Sequence, residues 1–171
     1  MEYSVRELED SQGKMKPLTT CQICGRHIKA NTGVIAHHGY QRPGDGWQTA
    51  SCMGARFRPY EVASDALPPA IQSCARYIAN QEAGLADWIA NPPAEIKHQR
   101  RDAYGSPVGP EKTFARPDGF DGATAENNYN PNTYVWRFVN ARSGFEHRIK
   151  SSNKSLCYLE KRLADWRAPA G

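Results

Sequence analysis

Apolar residues recur at three- and four-residue intervals in two stretches of the chain. Ile71, Cys74, Ile78, Leu85, Trp88 and Ile89 follow the spacing of one buried helix face and predict a helix. Asp65 is placed to cap it, Pro68-Pro69 suits a first turn, Gly84 is a weak point, and Pro92-Pro93 ends it. Leu156, Leu159, Leu163 and Trp166 repeat the pattern near the end of the chain. They predict a second helix, capped by Ser151 or Ser152 and closed by Pro169. Between these stretches the period changes to two. Residues 133–139 and 145–150 alternate and flank Asn140-Ala141-Arg142-Ser143-Gly144, which predicts a β-hairpin with Tyr134, Trp136 and Phe138 on one face and Arg137 on the other.

The remaining pattern is weaker. Val34-Ile35-Ala36 leads into His37-His38-Gly39-Tyr40 as a short strand, Arg42-Pro43-Gly44-Asp45 reads as a type II turn, and residues 48–52 return as a second strand. Residues 94–104 read as a short basic helix, and 105–132, rich in Gly, Pro and Asn, as a flexible loop. The expected organisation is a polar arm (1–20, with a helical turn around Val5 and Leu8), a finger module (21–60), a helical segment (61–104), a loop (105–132), and a hairpin plus helix (133–171). The fold class is α+β, with an N-terminal treble-clef or ribbon-like zinc finger.

Charge sharpens this division. The chain has 171 residues, with 22 Lys+Arg against 18 Asp+Glu, a balance too even to name a nucleic-acid partner. Its distribution is uneven: residues 21–60 carry 5 basic and 1 acidic residue, whereas 61–91 carry 1 and 4. No apolar run approaches the ~20 residues of a membrane span. The charged start at Met1-Glu2 has no apolar stretch behind it, so no secretory signal is expected and a cytoplasmic location is.

The strongest chemical signal is Cys21-x-x-Cys24-Gly25-Arg26, then His37-His38, then Cys52. A Cys-x-x-Cys-Gly turn aims two thiolates at one ion, and tetrahedral Zn²⁺ takes two more ligands from elsewhere. Thirteen residues separate Cys24 from His38, and thirteen separate His38 from Cys52. The expected set is Cys21, Cys24, a histidine and Cys52, a closed structural site. Adjacent strand residues point to opposite faces, so one of His37 and His38 ligates, and periodicity leaves open which. Cys74 and Cys157 fall beside apolar stripes and read as buried core thiols.

Residues 20–61, with Cys21-Gln-Ile-Cys24-Gly-Arg, Ile35-Ala-His-His-Gly-Tyr-Gln-Arg-Pro-Gly-Asp-Gly-Trp47 and Ser51-Cys52-Met-Gly-Ala-Arg, resemble a group of small zinc-finger proteins of tailed bacteriophages and proteobacterial prophages. The final helix is more loosely similar to that group's C-terminal coil. The resemblance implies a phage or prophage origin and a metal site with His38 as the ligand; host takeover or counter-defence is the role expected of a protein of that origin. It implies no particular activity.

Two functions follow. The first is a non-enzymatic module with structural zinc that binds a host protein or nucleic acid. Arg26, Lys29, Arg42, Arg56 and Arg58 would contact phosphates, and Tyr40 and Trp47 would stack on bases. The final helix is a candidate for pairing with a second copy. The alternative is a degenerate HNH-like metal-dependent nuclease, suggested by His-His after a zinc knuckle, although the second Cys-x-x-Cys of that motif is missing.

Overall fold

The computed structural model describes residues 7–9, 15–30, 33–39 and 51–168. Those residues form an α+β chain. Strands β1 (Glu7–Glu9), β2 (Met15–Thr20) and β3 (His27–Lys29) make a three-stranded antiparallel sheet in the order β1-β2-β3. Helix α1 spans Leu67–Ala90, strands β4 (Glu95–Arg101) and β5 (Pro107–Ala115) pair antiparallel, and helix α2 spans Tyr134–Asp165. The chain divides into two compact units: residues 1–75 with 154–171, and residues 76–153. The division falls within both helices.

Helix α1 matches its apolar spacing, with both prolines in the first turn and Pro92-Pro93 beyond its end. Its start is held differently from expectation. The Asp65 carboxylate accepts from Gln22 Nε2 at 2.7 Å, while the Ala66 N–H donates to Gln22 Oε1 at 2.8 Å.

Five expectations are overturned. Residues 133–150 are not a hairpin but the first half of α2. Thr133 Oγ1 accepts the Trp136 N–H at 3.2 Å, a helix N-cap. Tyr134 and Phe138 satisfy both a two-residue and a four-residue period, so the buried pair did not discriminate. His147 does discriminate: it is exposed, while Phe145 and Ile149, which would share its strand face, are half-buried. Residues 94–104 form β4 rather than a basic helix, and the loop assigned to 105–132 contains β5. These two strands exist because Ile96 pairs with Phe114 and both pack on the second unit's core, a non-local relation that local periodicity cannot display. Leu8 lies in β1, not in a helical turn. Residues 33–39 and 51–52 form no strand. The two segments meet instead through one backbone bond, from the Cys52 N–H to the His38 carbonyl at 2.8 Å. The turn expected at 42–45 lies outside the described residues.

The cores differ in make-up. In the first unit Leu67, Ala70 and Leu159 are buried against Ile23, Tyr60, Ile71, Cys74 and Leu163. In the second, Phe138 is fully buried, stacked on Trp88 (centroids 5.3 Å apart) and met edge-on by Phe120 (5.0 Å). Cys74 is half-buried at the edge of the first core rather than inside it, and Cys157 is exposed, contrary to the buried reading. Among the described residues no helix is long and apolar enough to cross a membrane.

Candidate metal centre

The hairpin β2–β3 delivers the chain into the Cys21–Cys24 turn and takes it back. The turn closes through the Gly25 N–H to the Cys21 carbonyl (3.0 Å) and the Cys21 N–H to the Arg26 carbonyl (2.9 Å). Gly25 sits at φ +71°, in the left-handed region where a side chain is strained. A second segment is laid against this turn. Ile35 N–H donates to the Phe57 carbonyl and Arg56 N–H to the Ile35 carbonyl, both at 2.8 Å. That pairing brings His38 and Cys52 alongside the knuckle.

The result is one cluster: ligand atoms of Cys21, Cys24, His38 and Cys52 all lie within 4.8 Å of one another. Cys21 Sγ is 4.0 Å from Cys52 Sγ, and Cys24 Sγ is 3.3 Å from His38 Nε2. A tetrahedral ion with metal–sulfur bonds of ~2.3 Å and metal–nitrogen bonds of ~2.0 Å needs edges of about 3.8 Å and about 3.5 Å. The observed separations fit. His38 is buried, and its Nδ1 lies 2.8 Å from the Ala36 carbonyl, which places the proton on Nδ1 and leaves Nε2 as the ligand atom. His37 stays out of the cluster. It is exposed, accepts from Arg56 Nε at 3.0 Å through Nε2, and therefore donates from Nδ1 to Ser51 Oγ at 3.1 Å.

The thiols are unequally disposed to ionise. Burial pushes Cys21 up to about 12, only partly opposed by the N–H groups of Cys24 and Ile23. Burial also raises Cys52, against the Gly54 N–H, which lies 3.5 Å from its sulfur. Burial acts on Cys24 too, but the Arg26 backbone and guanidinium, then His38 and Cys21, outweigh it and bring that thiol to about 6. Three thiols this close resist ionising together unless a cation joins them, and a dication at their centre deprotonates coordinating thiols outright. The donor set is soft, suited to a thiophilic metal rather than to Mg²⁺ or Ca²⁺.

Several supporting residues had escaped sequence reasoning. Gln22, fully buried between the two cysteines, donates through Nε2 to the Arg58 carbonyl at 2.8 Å as well as to Asp65. Arg162 of α2 donates to the Gln22 carbonyl (2.8 Å) and the Cys21 carbonyl (3.2 Å) while lying over the Tyr60 ring at 4.1 Å. Tyr60 reciprocates by donating its hydroxyl to the Arg162 carbonyl at 2.6 Å. Gly54 leaves room for the sulfur of Cys21, into which any Cβ at that position would run. Only Arg162 left a trace in the sequence, as a charge within the Leu159–Leu163–Trp166 stripe.

The residues expected to meet a partner are dispersed in role. Arg26 hydrogen-bonds the Cys24 sulfur, Arg56 holds His37, and Arg58 pairs with Asp65 at 3.1 Å. Lys29 is exposed on β3. Tyr40, Arg42 and Trp47 lie outside the described residues.

Three kinds of comparison, with protein-family models, curated proteins and solved structures, found no match to this chain.

Proposed function

We propose that this protein is a zinc-organised binding module in which the ion is structural and the activity is recognition of a nucleic acid or protein, not catalysis. The observation that carries the reading is the closed Cys₃His cluster of Cys21, Cys24, His38 and Cys52. Four protein ligands fill a tetrahedral ion, whereas catalytic zinc keeps a position for water or substrate. The ring orientation of His38 and the pegs from Gln22 and Arg162 support the same reading, since they fix the ligands before the ion arrives. The ion ties residues 21–24 to 38 and 52 and so holds the finger's surface in one shape.

Elemental analysis of the purified chain tests this. One zinc per chain is expected, lost in Cys52→Ser and His38→Ala but kept in His37→Ala. A metal-free wild type, or full occupancy in Cys52→Ser, contradicts the assignment. Incubation of the zinc-loaded protein with plasmid and Mg²⁺ should leave the plasmid intact. Nicking that is lost in His37→Ala would favour the nuclease reading instead.

A further inference from the structure

A second set of chemistry-bearing side chains lies wholly in the unit of residues 76–153. His98 and Arg100 of β4, Lys112 of β5 and Arg137 of α2 line one cavity of about 380 Å³ beside Asn132, and no acidic side chain lines it. The ladder register explains the placement. Ile96 and Phe114 are partners that pack on the core, and two residues further on His98 and Lys112 are partners, so they continue the same face past the core's edge.

The cations of this unit fall into two groups. Lys97 pairs with Glu111 at 4.0 Å, Arg101 donates to the Gly105 carbonyl at 2.5 Å, and Arg116 donates to the Pro92 carbonyl at 2.6 Å. Among the described residues no carboxylate forms an ion pair with His98, Arg100, Lys112 or Arg137. Arg137 is the most telling of the four. Its guanidinium lies over the rings of Trp136 (4.8 Å) and Phe114 (5.2 Å), and its Nε is buried without a hydrogen-bond partner. A guanidinium with its faces stacked still has its hydrogen-bonding edge, the geometry that recognises phosphate oxygens in pairs.

We infer that this cavity binds phosphate esters, and that its occupant is the sugar–phosphate backbone of a nucleic-acid strand. Arg100, Lys112 and Arg137, with the His98 imidazole and no acidic side chain in the lining, supply the charge complementarity. The ribbon supplies the reason for a strand over a free phosphate. Residues 100–113 are exposed along both strands, and Tyr104 at the connecting turn is 87% exposed, free to stack on a base. A two-stranded ribbon also has the dimensions of a duplex major groove. The inference does not depend on the metal centre, whose occupancy is measured separately.

Anisotropy of fluorescein-labelled single-stranded and duplex oligonucleotides, titrated with the full zinc-loaded chain, tests it. Arg100→Glu/Lys112→Glu changes two exposed side chains and is expected to keep the fold, checked by circular dichroism and zinc content. Wild type should bind at about 50 mM salt, with log affinity falling against log salt by about −0.9 per duplex phosphate contacted, or roughly −3 in all. The double variant should bind at least about tenfold more weakly, with a slope shallower by about 2. Arg137→Lys keeps the charge but loses the fork, and should weaken binding without removing the salt dependence. Tripolyphosphate and ATP serve as competitors. If they bind while no oligonucleotide does, the occupant is a free phosphate compound and the strand is overturned. No binding of any of them at low salt, or a folded double variant that binds like wild type, overturns the inference.

Discussion

The two compact units hold themselves together by different means. The unit of residues 76–153 is centred on a ring cluster in which Trp88, Phe120 and Tyr134 surround the fully buried Phe138. Among the described residues, the unit that carries the cysteines buries Leu67, Ala70 and Leu159 in one small apolar cluster and Ile35 besides, and adds polar pegs: the Gln22 amide, the Arg162 guanidinium, and the Glu61 carboxylate that accepts the Thr20 N–H at 3.0 Å. Apolar burial is non-directional and tolerates small shifts, whereas hydrogen bonds and metal ligation fix positions. One unit therefore relies on area and the other on geometry. The ligands sit in the unit that relies on geometry.

The sharpest way to break this comparison is to strip the zinc ion proposed for the Cys₃His cluster. Structural zinc contributes ~10–16 kcal/mol of apparent binding free energy in small fingers, so chelation should melt the cysteine-bearing unit. The Trp166 indole, which donates to the Tyr60 carbonyl at 2.8 Å, reports on that unit, and the Trp88 indole, 3.3 Å from the Phe138 carbonyl, reports on the other. Two-dimensional NMR should show the first resonance collapse while the second persists. Simultaneous loss of both would mean that the units do not differ in this way.

The converse change is Phe138→Ala. Truncating a fully buried aromatic costs about 3–5 kcal/mol, read as a lowered melting transition, while zinc content stays at one per chain. A smaller effect is expected at Arg162→Met, which keeps an unbranched side chain but removes the guanidinium over Tyr60 and its bonds to the Cys21 and Gln22 carbonyls. Zinc affinity should fall by about 10–100-fold in a competition titration with a coloured chelator. Unchanged affinity would demote Arg162 to packing alone.

Acid sensitivity separates the units more finely. Asp65 is held below the usual carboxylate range by the Gln22 amide first and then by Arg58. A carboxylate lowered on folding adds stability that is complete above its unfolded value and is lost as pH falls through the folded one. The group is half exposed, so the contribution should stay under about 1 kcal/mol. It is read as the difference between wild type and Asp65→Asn in melts across the acid range, so that acid release of the ion cancels. Smallest of all, His37→Ala should leave metal content and melting unchanged, because the ring lies outside the ligand cluster and its hydrogen bonds among the described residues go to Ser51 and Arg56.

How much of this was legible in the sequence follows the same physical divide. Cys21 and Cys24 were readable because a Cys-x-x-Cys-Gly turn is a local device, written in adjacent residues, whereas periodicity could not choose between His37 and His38. Helix α1 was readable because its period is local too. The β4–β5 ribbon was not, since Ile96 and Phe114 are far apart along the chain and neither strand alternates strongly. Helix α2 was misread because Tyr134 and Phe138 fit two periods at once and Gly144 resembles a turn residue. The pegs at Gln22 and Arg162 were invisible for a different reason. Each is an ordinary polar residue until the fold places it against an unsatisfied backbone carbonyl or N–H.

The central claim is that Cys21, Cys24, His38 and Cys52 together hold one zinc ion with no position left for water. X-ray absorption at the zinc edge of the purified chain tests it most directly. The account predicts a shell of three sulfurs at ~2.3 Å and one imidazole nitrogen at ~2.0 Å, unchanged in His37→Ala. A shell with two sulfurs and added oxygen, or one that changes when His37 is removed, would contradict it.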